Sequence, residues 1–375
     1  MNIGFDAKRI THNATGLGNY SRFAVHILAA HYPENNYLLY TPSPGKENLR
    51  KQVYETPSVS FRYPAPRFLY PKALWRSRGI VPDLKRDGVE LFHGLSNELP
   101  AGLAKAGIRS VVTVHDLIFI RYPRLYPFID RKIYAYKFRK ACLDADRIIA
   151  VSETTRRDIV SFFGIDDRKI EVVYQGCDPA FAHRAGDAEK ERVRRTYGLP
   201  ERFILSVGSI EERKNLLLAV KALKHIDKEI ELVAVGRRTP YLERIRAYAE
   251  ANGLSRRVRF LHGFPFSDLP ALYRCASVFV YPSFFEGFGI PVLEAITSEV
   301  PVIAATGSCL EEAGGPGSLY VNPTDERELA EKLNAVLGDP ALAQQMVAEG
   351  KAYSERFNGE RLAADLMQVY TALKR

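Results

Sequence analysis

The stretch Tyr281-Pro282-Ser283-Phe284-Phe285-Glu286-Gly287-Phe288-Gly289-Ile290-Pro291-Val292-Leu293-Glu294 decides how the chain is read. Val278 to Tyr281, all β-branched or aromatic, run into it as a strand, and a loop with two glycines follows. Gly287 and Gly289 let the backbone approach a ligand closely, and Pro291 suits the first turn of a helix, where a missing N–H costs nothing. Free amides at that helix start favour an anionic or hydroxyl-rich ligand. Glu286 lies in the loop and Glu294 about one turn into the helix, and both carboxylates would accept hydrogen bonds from hydroxyls. Strand, glycine loop, helix start and two acids describe a pocket better than a core.

Working outward, the alternation of strand and helix continues on both sides. Strands are expected at Phe203–Val207, Ile230–Val235, Val258–Leu261, Val302–Ala305 and Leu319–Val321, with helices over 215–226, 239–252, 268–275 and 290–298. The first half repeats the pattern. Its strands are expected at 2–5, Tyr37–Tyr40, Val59–Tyr63, Glu90–His93, Ser110–Val114, Arg147–Val151 and Ile170–Val173. Its helices are expected near 20–30, 71–87, 130–144 and 153–163. β-branched strands alternating with helices imply parallel sheets covered on both faces. The polar segment Ala182–Tyr197 interrupts the pattern, and Gly198-Leu199-Pro200 punctuates it. The fold class is therefore α/β with two Rossmann-like parallel-sheet domains, at 1–180 and 201–355. A linker at 181–200 is expected to join them, and the end of the chain, 356–375, is expected to be helical. Ligands bind at the carboxyl ends of such strands, so the motifs should face each other across a cleft.

With 375 residues the chain is long enough for two cores. No apolar run of about 18 residues suggests a membrane span, and Met1 to Asp6 read as a strand, not a signal peptide. Cys142, Cys177, Cys275 and Cys309 lack paired metal spacing and read as free thiols in a reducing compartment. The net charge of +9 is unevenly placed: residues 1–178 hold 27 Lys/Arg and 18 Asp/Glu, whereas 179–375 hold 26 of each. Two segments, Arg62–Arg86 and Phe119–Lys140, each carry seven cations against one aspartate, with aromatics interleaved. Such a surface would meet an anionic membrane, nucleic acid or a phosphorylated acceptor; the plain alternative is a solvated helix face.

Other motifs lie at strand ends. Gly16-Leu17-Gly18 reads as a turn that approaches a phosphate or sugar, or as a plain helix entry; Ser21 stands where a dinucleotide fingerprint needs its third glycine. His115-Asp116 follows the strand ending at Val114, a position at the expected cleft edge, and His93 is a weaker case of the same kind. Arg213-Lys214-Asn215 follows Val207-Gly208 and precedes a helix, so two cations stand ready to neutralise a departing diphosphate. The bland alternative is exposed charge with Asn215 as a helix cap. Asp144-Ala145-Asp146 has the spacing of a metal clamp, but its setting at a helix-to-strand junction favours a structural turn.

These landmarks combine with Val151-Ser152-Glu153, Tyr174 through Asp178, Leu261-His262-Gly263-Phe264 and Pro282-Ser283. Over nearly its whole length the chain resembles the GT-B glycosyltransferases of the large retaining group numbered four, most of all bacterial mannosyltransferases of surface polysaccharide. The resemblance implies that Glu294 holds the ribose, and that Glu286 and the amides of Gly287, Phe288, Gly289 and Ile290 grip the donor sugar. Arg213 and Lys214 would take the diphosphate, Gly263 and Phe264 would lie near the base, and Gly16 near the β-phosphate, with Gly18 also in the donor-binding set; the final helix, 356–375, would cross back and pack on the first domain. His115 would lie near the reacting carbon, so that His115, Arg213, Lys214 and Glu286 form the catalytic set. It further implies a metal-independent, cofactor-free enzyme that moves a hexose, with retention, from a nucleoside diphosphate sugar to an acceptor hydroxyl. GDP-mannose is expected ahead of UDP-hexoses. The acceptor would be a glycan or lipid-linked glycan in lipopolysaccharide, O-antigen or exopolysaccharide synthesis. The protein would be cytoplasmic, with its basic first domain peripheral at the inner membrane face. Two departures stand out: Ser209 replaces an arginine of many relatives, and Ser298-Glu299 stand where a small residue and glycine usually precede the next strand. The rival reading is a nucleotide-sugar epimerase on the same fold. No nucleic acid is expected, because charge alone leaves the acidic and glycine motifs unexplained.

Overall fold

The computed structural model describes residues 1–53, 55–65, 74–183 and 185–374. The chain forms two compact units: Met1–Gly176 together with Phe357–Arg375, and Cys177–Arg356.

The first unit is built on seven strands: β1 (Asn2–Asp6), β2 (Asn36–Tyr40), β3 (Val59–Arg62), β4 (Leu91–Gly94), β5 (Arg109–Val114), β6 (Arg147–Ala150) and β7 (Ile170–Val172). Their order is β3-β2-β1-β4-β5-β6-β7, and each neighbouring pair is parallel. The order in which the strands are added therefore reverses between β1 and β4. The second unit repeats the plan with β8 (Phe203–Val207), β9 (Glu231–Val235), β10 (Val258–Leu261), β11 (Val278–Tyr281), β12 (Val302–Ala305) and β13 (Leu319–Val321). Here the order is β10-β9-β8-β11-β12-β13, again all parallel, with the reversal between β8 and β11.

Both faces of the central strands are buried, as β-branched runs require. Ile204, Leu232, Val280 and Ile303 pack with Leu242, Ile245 and Leu333 from the covering helices. Each such side chain contributes roughly 1.5–3 kcal/mol of burial, which outweighs the weak β-propensity differences. Helix ends are set locally: Ser152 accepts from the Thr155 amide at the start of the helix Glu153–Phe163, and Gly164, at φ 64°, closes it.

Two boundaries differ from the sequence reading. The segment 181–200 is not a free linker. Its helix Asp187–Tyr197 buries Val193 in the second unit, and Arg192 and Tyr197 both bind Asp268, at 2.7 and 2.6 Å. The helix expected from Tyr20 begins earlier and spans Gly16–His31, so the two glycines occupy its first turn. Of the helix expected over 71–87, residues 71–73 lie outside the described residues; Val81–Arg86 is helical. The last helix, Gly359–Thr371, packs on Gly16–His31, where a Cβ on Gly359 would stand 3.1 Å from Ile27.

Candidate active site

The second unit concentrates its polar side chains at the carboxyl ends of β8 and β11, where strand order reverses and an open sheet offers a crevice. Gly208 ends β8 at φ 152°, and the stem of Lys214 lies over it, 3.2 Å from where a Cβ would sit. Gly236 ends β9 against the Gly208 carbonyl so closely that no Cβ fits. Bare backbone at Gly208 leaves room for the stem of Lys214, which ends the short 3-10 turn Glu212–Lys214, to pack over the strand end. Asn215 then turns left-handed, at φ 55°. It does not cap the next helix: its side-chain amide donates to the Pro282 carbonyl at 3.1 Å and to that of Pro323 at 2.7 Å. The Phe284 amide in turn donates to the Arg213 carbonyl at 2.9 Å. These bonds join the loops after β8 and β11 and bring together residues 72 positions apart.

Glu286 is the focus. Its Oε1 accepts from Arg213 Nη1 at 2.8 Å, Lys214 Nζ at 3.1 Å, the Tyr281 hydroxyl at 3.1 Å and Ser283 Oγ at 2.8 Å. Lys214 also donates to the Tyr281 hydroxyl and sits 5.0 Å from that ring's centre. Burial alone would raise the Glu286 carboxyl, but Lys214 and then Arg213 outweigh it and hold the group at about 2. Burial likewise disfavours the Lys214 ammonium, yet Glu286 and Tyr281 raise it, so the lysine stays charged. Two cations and one carboxylate leave a net positive set. Among the described residues Oε2 of Glu286 has no hydrogen-bond partner.

The helix Ile290–Thr297 begins beside this cluster. Gly289 leads into it at φ 120°, with Leu310 Cδ2 2.8 Å from where a Cβ would stand. Pro291 has no N–H, and the amides of Gly289 and Ile290 find no acceptor among the described residues. The Cys309 thiol lies 3.0 Å from the carbonyls of both Glu286 and Phe288 and pins the loop from below, with the Phe288 ring buried. One turn on, Glu294 Oε2 accepts from the Tyr273 hydroxyl at 2.8 Å. Burial pushes this carboxyl up to about 7 against the opposing bond from Tyr273. Its Oε1, like Oε2 of Glu286, is unbonded among the described residues. At the end of β10, His262 Nδ1 contacts the Gly236 carbonyl at 2.7 Å; Gly263 is exposed, and the Phe264 ring packs 4.3 Å from that of Tyr197.

In the first unit the expected residues fall into two groups. Gly16 is exposed at the helix start with open space around it. Gly18 is buried, and a Cβ there would collide with the Asn13 carbonyl, so its glycine serves helix packing and not the approach of a ligand. His115 is 5% exposed: Nε2 bonds the Leu95 carbonyl at 2.8 Å, and Nδ1 lies 2.9 Å from the Gln175 amide. Burial lowers the imidazole to about 4, so the ring is neutral, and its nitrogens are committed inside the unit. A free acid–base role for His115 does not fit this geometry; its ring can offer only contact. His93 is structural: Nδ1 meets the Tyr370 hydroxyl at 2.6 Å and Nε2 meets Thr113 Oγ1 at 2.8 Å, tying β4 to the last helix. Asp146 accepts from the amide and hydroxyl of Ser110, while Asp144 pairs with Lys140, so the two face different partners.

Comparison with known proteins now bears on this geometry. Residues 187–353 match the description Glycosyl transferases group 1, and residues 21–181 match Glycosyltransferase Family 4. The chain belongs to the family 4 glycosyltransferases. Within the family, it is 29% identical over 289 residues to O-antigen chain mannosyltransferase B of Escherichia coli, covering 76% of this chain and 74% of that one. It is 27% identical to the serotype-specific mannosyltransferase WbdA of the same organism over 78% of this chain, but spans only 37% of WbdA. Among solved structures, Anabaena HepE in complex with UDP-glucose superposes with a TM-score of 0.78 at 18% identity, over 100% of both chains. Sucrose-phosphate synthase from Thermosynechococcus elongatus gives 0.79 at 22%, over 99% and 98%. The fold is GT-B.

Several members of the cluster are given no role in the sequence reading. Tyr281 reads only as the end of a strand, and Ser283, though one of the landmarks of the resemblance, is given no role of its own. Cys309 reads as a free thiol, and Tyr273 is not singled out. Among the described residues no helix is long and apolar enough to cross a membrane.

Proposed function

We propose that the enzyme transfers a hexose, mannose from GDP-mannose in the first place, to an acceptor hydroxyl of a bacterial surface polysaccharide such as O-antigen, with retention at the anomeric carbon. The observation that carries the reading is the pairing of Glu286 and Glu294. Each has one oxygen tied to the protein and one unbonded beside a net positive, amide-bearing helix start. Free carboxylate oxygens suit sugar and ribose hydroxyls; Arg213, Lys214 and the Gly289–Ile290 amides suit a diphosphate. The mannosyltransferase relatives favour mannose, while the UDP-sugar bound by HepE keeps UDP-hexoses as the next candidates.

In this mechanism the bond between the anomeric carbon and the diphosphate oxygen breaks while the acceptor oxygen bonds on the same face. The acceptor's proton passes to the departing phosphate, so no side chain need act as base. Arg213 and Lys214 stabilise the charge that develops on the leaving group, the part a metal plays elsewhere, and no cofactor takes part. Glu286, held ionised, keeps both cations in place and offers Oε2 to the sugar. The test is incubation with GDP-mannose, UDP-glucose and UDP-galactose, with and without a chelator, followed by thermal stabilisation and by NMR of the product anomer. GDP-mannose should stabilise most and react in chelator with retention. An inverted product, or indifference to every nucleotide sugar, would overturn the reading.

A further inference from the structure

The two basic segments of the first half differ in three dimensions less in their charges than in the apolar side chains they expose. In the segment 62–86, Arg62 pairs with Asp87, Arg76 with Asp6 and Glu98, and Arg86 with Asp83, while Arg78 and Lys85 are exposed with no carboxylate partner among the described residues. Trp75 is fully buried with its indole N–H on Asp83, and residues 66–73 lie outside the described residues. In the segment 119–140 Arg121 pairs with Asp158 and Lys137 with Glu98, and the difference lies in the apolar side chains. Its helix Phe128–Asp144 buries only Ala141 and Cys142. Seven of the eleven large apolar side chains exposed among the described residues lie between Leu125 and Leu143, which is a concentration and not scatter.

The pattern on that helix decides what kind of surface it is. Ile129, Ile133, Tyr136 and Leu143 recur at spacings of three, four and seven, so they form one outward stripe, with Ile129 71% and Tyr136 70% exposed. Lys132, Arg139 and Lys140 flank the stripe. Lys132 and Arg139 pair with no carboxylate among the described residues, whereas Lys140 meets Asp144 at 2.6 Å. A solvated helix would turn its charged residues outward and its apolar ones inward; this one presents both together. Apolar side chains with cations at their rim suit a layer that is greasy inside and anionic at its surface. A second copy of the chain would bring the same cations against each other, which argues against self-association.

We propose that the outward face of the helix Phe128–Asp144 seats the protein on an anionic lipid bilayer, with Ile129, Ile133 and Tyr136 entering the headgroup layer and Lys132 and Arg139 contacting lipid phosphates. The inference rests on this face alone and stands apart from the donor assignment.

The test uses the full chain and two sets of vesicles, phosphatidylcholine alone and phosphatidylcholine with about a quarter phosphatidylglycerol, in sedimentation assays at low and moderate salt. Binding is expected to the anionic vesicles only and to weaken with salt. Lys132→Glu with Arg139→Glu should lower partitioning at least about tenfold, and Ile129→Ser with Ile133→Ser and Tyr136→Ser should do the same. These side chains are exposed, so the thermal melt should be unchanged; should either set unfold, Lys132→Gln with Arg139→Gln and Ile129→Ser alone carry the same test. Equal binding to neutral vesicles, binding that survives both sets, or a solution dimer that the same substitutions dissociate would each overturn the proposal.

Discussion

Glu286 and Glu294 stand eight positions apart on one loop and helix, yet the first is held at about 2 and the second is pushed up to about 7. The divergence has a plain cause. Both are largely shielded from solvent, but only Glu286 has Lys214 and Arg213 within hydrogen-bonding distance; Glu294 has a neutral tyrosine. Carboxylates with proton affinities set so far apart often serve as an acid and a base. Here the ionised member is locked between two cations, so it anchors charge, and the other is poised to lose its proton when a ligand arrives.

This yields a pH dependence with a definite sign. Glu294 accepts hydroxyl bonds best as a carboxylate, so donor affinity should rise from about pH 6 to about pH 8, through the raised value of the group. The free protein should behave in the opposite sense. A carboxyl raised on folding contributes stability that is present below its ordinary value and lost as pH climbs through about 7. Calorimetric titration of the nucleotide sugar at several pH values checks the first point, and melting curves check the second. Glu294→Gln should flatten both; a wild-type affinity that ignores pH would remove Glu294 from the pocket.

Lys214→Ala should lower kcat by roughly 10²–10³-fold, the usual cost of losing one preorganised group that stabilises transition-state charge, with a smaller change in KM. The variant also leaves the buried Glu286 with Arg213 alone, so a loss confined to donor binding, with kcat intact, would reassign Lys214 from leaving-group stabilisation to ground-state binding.

Much of this was legible before any coordinates. The strands announce themselves because a parallel strand buried on both faces must be built of residues such as Val302-Ile303-Ala304, and the Glu286–Glu294 spacing follows from a loop running into a helix. What stayed hidden depends on neighbours distant in sequence. Gly18 looked like a ligand-facing glycine, because sequence cannot distinguish crowding by the Asn13 carbonyl from crowding by a ligand. His115 was correctly placed at a strand end, but its commitment to the Leu95 carbonyl and Gln175 depends on how two other loops fold over it. The segment 181–200 read as a linker because it is polar and interrupts the alternation of strand and helix; Asp268, some 70 residues away, accepts from two of its side chains.

His93 and Tyr370 offer a test of scaffold against chemistry. Tyr370→Phe removes the hydroxyl from a fully buried imidazole nitrogen, which should cost about 1–3 kcal/mol of stability. Urea denaturation measures that loss. Turnover per folded molecule should be unchanged, and a fall in kcat without a fall in stability would move His93 into the catalytic machinery.

Gly289→Ala separates backbone strain from ordinary glycine loss. Gly289 sits at φ 120°, a conformation other residues rarely hold, and an added methyl would stand 2.8 Å from Leu310 and 3.3 Å from Ala313. Strain of that kind costs about 1–3 kcal/mol, and the collision adds to it. Gly263 is the control: its φ of 64° is also left-handed, but it has no neighbour within 4 Å, so alanine there should cost only about 1 kcal/mol. The two variants should therefore differ in melting temperature, with Gly289→Ala lower. They should also differ in function, because displacing Gly289 moves the amides that precede Pro291, and nucleotide sugar affinity should fall with it. Equal melting temperatures would mean that the Leu310 contact relaxes freely. Unchanged donor affinity in Gly289→Ala would mean that the helix start does not meet the diphosphate.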